Sequence, residues 1–161
     1  MKQLWSPWRM TYIEKSNKEE GCVFCNAQAK ADGAENLIAH RGKLSYVILN
    51  RYPYTSGHLM VIPFKHVSTL EELDAETRAE MMELSSRCTT ELGEIYKPQG
   101  FNLGINIGKA AGAGVLGHVH IHIVPRWAGD TNFMTAVGET RVLPESLEQT
   151  YERVKQAFET K

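Results

Sequence analysis

The chain predicts an α+β domain built on an antiparallel sheet, and three observations carry that expectation. Short apolar or alternating runs at 44–49, 58–62, 101–107 and 117–125 have strand character. A long helical pattern opens at Asp74 and reaches about Tyr96, and a second opens at Pro144 near the end. Strands that run consecutively with helices inserted and appended, rather than alternating strand by strand, favour antiparallel pairing.

At 161 residues the chain suits one domain, since about 70% of its unfolded surface would be buried at this size. Its net charge of −1 offers no basic field for nucleic acid or a membrane surface. No stretch approaches a membrane span, and the amino terminus lacks a charged segment followed by an apolar run, so a cytoplasmic protein is expected. The three cysteines fit a reducing compartment better than a disulfide framework.

Residues 1–21 read as an amino-terminal arm. Ser6 is placed to cap a short helix with Pro7 at its first position, and Trp5, Trp8, Met10, Tyr12 and Ile13 are too much apolar surface to leave in water. They are expected to dock on the domain or on a second subunit. Cys22 and Cys25 then have the spacing of half a zinc knuckle. Tetrahedral zinc needs two further ligands, which histidines would have to supply, so a metal site and a pair of reduced core thiols both stay open. Cys88, inside the helical run, reads as a buried apolar residue.

Residues 44–49 and 58–62 are joined by the turn-rich Asn50–Gly57 segment and suggest a hairpin. Ser68 to Glu71 has the form of a capping box. From Asp74 the helix carries Thr77, Met81, Leu84, Cys88, Leu92 and Ile95 on one face, and Pro98 and Gly100 end it. Residues 101–107 read as the third strand of a meander that the linker 108–117 carries into the histidine strand. Residues 126–143 look irregular, with Trp127, Phe133 and Met134 as candidate contacts. The last helix presents Leu147, Tyr151, Val154 and Phe158 as a packing stripe.

The linker contains Gly112-Ala-Gly114-Val-Leu-Gly117, which matches the dinucleotide fingerprint in letters only. That fingerprint opens a helix, whereas here the last glycine runs into strand residues. Its glycines instead allow positive φ and close approach of backbone amides to an anion, with Gly114, Val115 and Leu116 nearest the histidines.

Those histidines are the densest chemistry in the chain. His118, His120 and His122 alternate with Val119, Ile121 and Ile123, and period two puts the three imidazoles on one face. Neighbouring rings would stand about 6.7 Å apart, too far for three to close easily on one ion but well suited to a row of phosphate oxygens. Imidazole donates, accepts or attacks near neutral pH.

This His-x-His-x-His pattern resembles the signature of the histidine triad family of nucleotide hydrolases and transferases, and the likeness extends over roughly residues 22–127. The resemblance implies a mainly five-stranded antiparallel sheet with the long helix against it and a homodimer or higher homo-oligomer, and beyond the likeness the chain adds a carboxy-terminal loop and helix over 128–161. It implies His120 as the nucleophile on an α-phosphorus, with His122 and His58 neutralising oxygens and the amides of Gly114 to Leu116 assisting. Asn50 is implied at the ribose and Asn106 at the phosphates, although both could equally stabilise turns. Relatives that hold structural zinc imply Cys22, Cys25, His66 and His118 as its ligands.

Gly114 stands where fragile-histidine-triad hydrolases have glutamine. The aromatic amino terminus and Val124-Pro125-Arg126-Trp127 resemble instead a bacterial branch containing diadenosine tetraphosphate phosphorylases. The implied activity is cleavage of dinucleoside polyphosphates, with phosphorolysis favoured over hydrolysis. A phosphoramidate or adenylyl-sulfate hydrolase, or a nucleotide-sensing module with little turnover, are the alternatives.

Overall fold

A computed structural model describes residues 21–132, 135, 137 and 143–160. The arm with Trp5 and Trp8, and the candidate contacts Phe133 and Met134, lie outside the described residues. Five strands form one antiparallel sheet: β1 (Ile38–Arg41), β2 (Ser45–Leu49), β3 (Leu59–Pro63), β4 (Gly100–Ile105) and β5 (Ile121–Arg126). The α-helices that pack with it among the described residues include α1 (Val23–Gln28), α2 (Ala75–Tyr96) and α3 (Leu147–Glu159). Among the described residues no helix is long and apolar enough to cross a membrane.

The spatial order is β1-β2-β3-β5-β4. The expected meander is therefore corrected: the histidine strand inserts between β3 and β4, which never meet. β5 can take this central place because it alternates deep and shallow side chains, with Ile121, Ile123 and Pro125 buried on one face. Strand β1 was not anticipated. It is only four residues long and follows Leu37, a non-glycine residue at φ +62°. Asn36 builds that entry, its Oδ1 accepting from the amides of Gly33 and Ile38.

The histidine strand is also shorter than expected. Regular pairing with β3 runs through Val61↔Ile121 and stops there; two steps further the register would set Val119 opposite Pro63, which has no N–H to donate. Ahead of it, the Val119 amide donates to the carbonyl of Val67 at 2.8 Å, so His118 to His120 approach the sheet as an extended lead-in.

Helix α2 starts as read, with the Asp74 side chain accepting from the Thr77 amide, and ends where Lys97 turns left-handed before Pro98. Its buried face includes Thr77, Met81, Leu84, Cys88 and Leu92. Glu80 ties this helix to the β1–β2 turn, accepting from the amides of Leu44 and Ser45 and from the Ser45 hydroxyl at 2.8–2.9 Å. The Ser68 capping box is corrected by one residue. Glu72, not Glu71, accepts from the amides and hydroxyls of Ser68 and Thr69, and it closes a turn rather than a helix. Helix α3 begins two residues beyond Pro144's immediate neighbour, at a full capping box between Ser146 and Gln149.

Candidate active site and metal centre

Helix α1 is the hinge between the two chemical centres. Cys22 and Cys25 lie at its start, three residues apart and so on one side, while Phe24 between them packs edge-on to His118 (5.6 Å between centroids) and His120 (5.0 Å). The Tyr46 hydroxyl donates to the Phe24 carbonyl at 3.0 Å and fixes the helix to β2.

The metal-type cluster joins three distant segments. Cys22 Sγ is 3.4 Å from His118 Nδ1, and Cys25 Sγ is 3.3 Å from His66 Nδ1 and 3.6 Å from His118 Nδ1. One ligand atom from each of Cys22, Cys25, His66 and His118 falls within 4.8 Å of the other three. His118 Nε2 lies 2.9 Å from the Pro63 carbonyl, an acceptor only, so that nitrogen carries the proton and Nδ1 turns its lone pair to the sulfurs. Two sulfurs and two imidazole lone pairs in this compass fit a tetrahedral ion. Burial, then the neighbouring Cys22, raises the pKa of Cys25.

The catalytic-type cluster is ordered by the same proton logic. His120 Nδ1 lies 2.9 Å from the His118 carbonyl, so Nδ1 donates and Nε2, at the far side of the ring, keeps its lone pair. Among the described residues Nε2 has no hydrogen-bond partner. The ring itself is 3% exposed, and burial lowers its pKa against the bond to His118, which works the other way. His122 packs edge-on to His120 at 4.7 Å. The Tyr54 amide donates to His58 Nδ1 at 3.1 Å, which leaves His58 Nε2 protonated to donate to His122 Nδ1 at 2.9 Å. His122 Nε2 must then carry a hydrogen and present it as a donor. Burial first, and repulsion from His120 second, push the His122 pKa down to about 4.

His58 is 1% exposed, and its Nε2 stands 2.9 Å from His122 Nδ1, so the two rings are arranged in depth with His122 on the cavity side. Asn50 supports His58: Nδ2 is 3.4 Å from His58 Nδ1, while Oδ1 accepts from the Tyr52 amide and shapes the turn. Asn106 Nδ2 donates to the Gly112 carbonyl at 3.4 Å and closes the glycine loop, in which Gly108 and Gly112 both adopt φ +83°. A cavity of about 650 Å³ opens before His122, with Asn106 in its wall; Gly114, Val115 and Leu116 are not part of that wall. Tyr54, which the sequence did not single out, leans over both His58 (4.6 Å) and His122 (6.1 Å).

A five-stranded antiparallel sheet that delivers three alternating histidines, one as a metal-type ligand, one buried beside it and one in the wall of a cavity, defines a histidine triad protein. The chain belongs to the HIT family, whose domain model matches residues 33–129. It is 39% identical over 158 residues to the AP-4-A phosphorylase of Mycobacterium tuberculosis, covering 93% of this chain and 80% of that protein. It is 31% identical over 125 residues to Adenylylsulfatase HINT3 of Arabidopsis thaliana, covering 74% of this chain and 62% of that protein. A zinc-bound histidine triad family protein from Mycobacterium smegmatis superposes with TM-score 0.69 at 30% identity, covering 87% of this chain and 94% of that one.

Proposed function

We propose that this nucleotide phosphoanhydride-cleaving enzyme acts on dinucleoside polyphosphates of the diadenosine tetraphosphate type, by transfer of a nucleotidyl group through His120. The observation that carries the reading is the His120 Nδ1 bond to the His118 carbonyl, which leaves Nε2 as a neutral nucleophile. Nε2 attacks the α-phosphorus, an N–P bond forms, and the P–O bond to the remaining polyphosphate breaks with its electron pair leaving on oxygen. An acceptor then cleaves the N–P bond and restores the imidazole. The Nε2–H of His122, set by His58, donates to a phosphoryl oxygen whose charge grows in the transition state. Asn106 and the glycine loop complete the anion side.

Inorganic phosphate is the favoured acceptor, because Gly114 leaves no side-chain amide to orient water and the similarity to the mycobacterial phosphorylase covers nearly the whole chain. The metal is zinc, held by Cys22, Cys25, His66 and His118, and when bound it cross-links α1 to the lead-in of β5. Cysteines held outside disulfides, at Cys22, Cys25 and Cys88, suit the cytoplasm. A homodimer is the expected assembly.

Incubation with diadenosine tetraphosphate, with and without phosphate, is the test. ADP plus ATP means phosphorolysis and AMP plus ATP means hydrolysis. Absence of both pairs removes this substrate, and turnover of adenylyl sulfate would then favour the second reading that the Arabidopsis relative suggests.

A further inference from the structure

We infer that the cavity beyond His122 is a subsite for the departing nucleoside, with the flat face of the Arg126 guanidinium as the platform for its base. The inference rests on the substrate class proposed above. Along β5, His122, Val124 and Arg126 alternate with the buried residues and share the cavity face. Four residues of strand place Arg126 about 13 Å from His122, at the other end of the space.

Between them the floor is kept low. Gly104 of β4 stands opposite His122 in register, and a Cβ built there would meet nothing within 4 Å. Asn102 stands opposite Val124, one step further along. The cavity, about 650 Å³, is of the size that takes a nucleotide-sized ligand.

Arg126 is held as a plate rather than as a free charge. Nε and Nη2 donate to the two oxygens of Asp130 at 2.6 and 2.9 Å, and Nη1 donates to Asn102 Oδ1 at 2.6 Å. Asp130 is itself anchored, accepting from the Trp127 amide at 3.2 Å within a turn that closes through the Asp130 amide and Trp127 carbonyl. A guanidinium neutralised by a bidentate carboxylate is a poor magnet for phosphate. Its plane is immobilised from two segments, however, and its side chain is still 44% exposed, so one face is open for stacking. A base laid there loses little further side-chain entropy from the protein.

The experiment is calorimetric binding of diadenosine tetraphosphate and of AMP to zinc-loaded protein carrying His120→Ala, alone and with Arg126→Ala or Arg126→Lys. Stacking is worth about 1–3 kcal/mol per base, so Arg126→Ala should weaken the dinucleotide by roughly 5- to 150-fold while AMP affinity stays within about twofold. Retained AMP binding also shows that the variant is folded. Arg126→Lys keeps the charge but not the plane, and should lose as much as alanine; full recovery by lysine would replace stacking with simple charge and overturn the inference. Equal weakening of both ligands, or of neither, also overturns it. Protein that binds neither ligand before Arg126 is changed sinks the proposed substrate class together with the subsite.

Discussion

The carbonyl of His118 accepts the Nδ1 hydrogen of His120 at 2.9 Å, while the ring of His118 faces two cysteine sulfurs. One residue thus serves the metal-type centre with its side chain and orients the neighbouring imidazole with its backbone. Removing the oriented ring should separate chemistry from recognition. His120→Ala is expected to lower turnover of diadenosine tetraphosphate by about 10⁴-fold or more, with nucleotide affinity changed by less than about threefold. Single-turnover kinetics alongside equilibrium binding check this, and near-normal turnover would remove His120 from the mechanism.

The cysteine–histidine cluster makes a separate prediction for stability. Elemental analysis of protein purified without chelator should find one zinc per chain. Cys22→Ser with Cys25→Ser should abolish that zinc and cost about 3 kcal/mol, roughly 6–12 °C in Tm at this chain length. Turnover should fall in the same variant, because His118 would lose the ion that fixes it while its carbonyl still has to hold His120. Unchanged Tm and metal content on removing both thiols would refute the assignment.

The parts of this architecture legible in the sequence are those written in local chemistry. Asp74 and Pro98 mark both ends of α2, and the alternation after Gly117 marks β5, because capping and period-two patterning act over a few residues. The convergence of Cys22, Cys25, His66 and His118 came from the family resemblance; the isolated Cys-x-x-Cys left both metal and reduced core thiols open. What stayed hidden depends on long-range pairing. Nothing local says that β5 slips between β3 and β4, or that regular pairing with β3 ends at Ile121, short of His118 and His120. Likewise His58 carries the same letters whether it touches phosphate or stands behind His122, and only the fold puts it 2.9 Å from that ring.

Glu80 is such a long-range feature, invisible as one more charge on an exposed helix turn. Burial works to raise its pKa, yet bonds from the Leu44, Ser45 and Lys43 amides and the Ser45 hydroxyl bring it down. Glu80→Ala strands those donors at the entry to β2 and should cost about 2 kcal/mol, read as a lower denaturation midpoint with an unchanged slope. Glu80→Gln, which keeps one acceptor oxygen, should recover part of the loss. A midpoint equal to wild type in both variants would show that water replaces the carboxylate at no cost.

The His58–His122 pair sets the last expectation, for acid. His122 has a folded pKa near 4, held down first by burial and then by His120, against about 6.5 in an unfolded chain. Above pH 6.5 neither state binds the proton, so this ring contributes no pH dependence there. Between 6.5 and 4 the unfolded chain takes up a proton that the folded one refuses, so stability falls as pH falls; below 4 both states hold it and the loss levels off. The charged ring would also give up its acceptor nitrogen, breaking the bond that His58 donates at 2.9 Å. His122→Gln should therefore flatten the decline in urea midpoint between pH 6.5 and 4.5, with turnover reduced because the donor to the phosphoryl oxygen is altered. A decline equally steep in the variant would assign the acid sensitivity to other groups and leave His122 electrostatically ordinary.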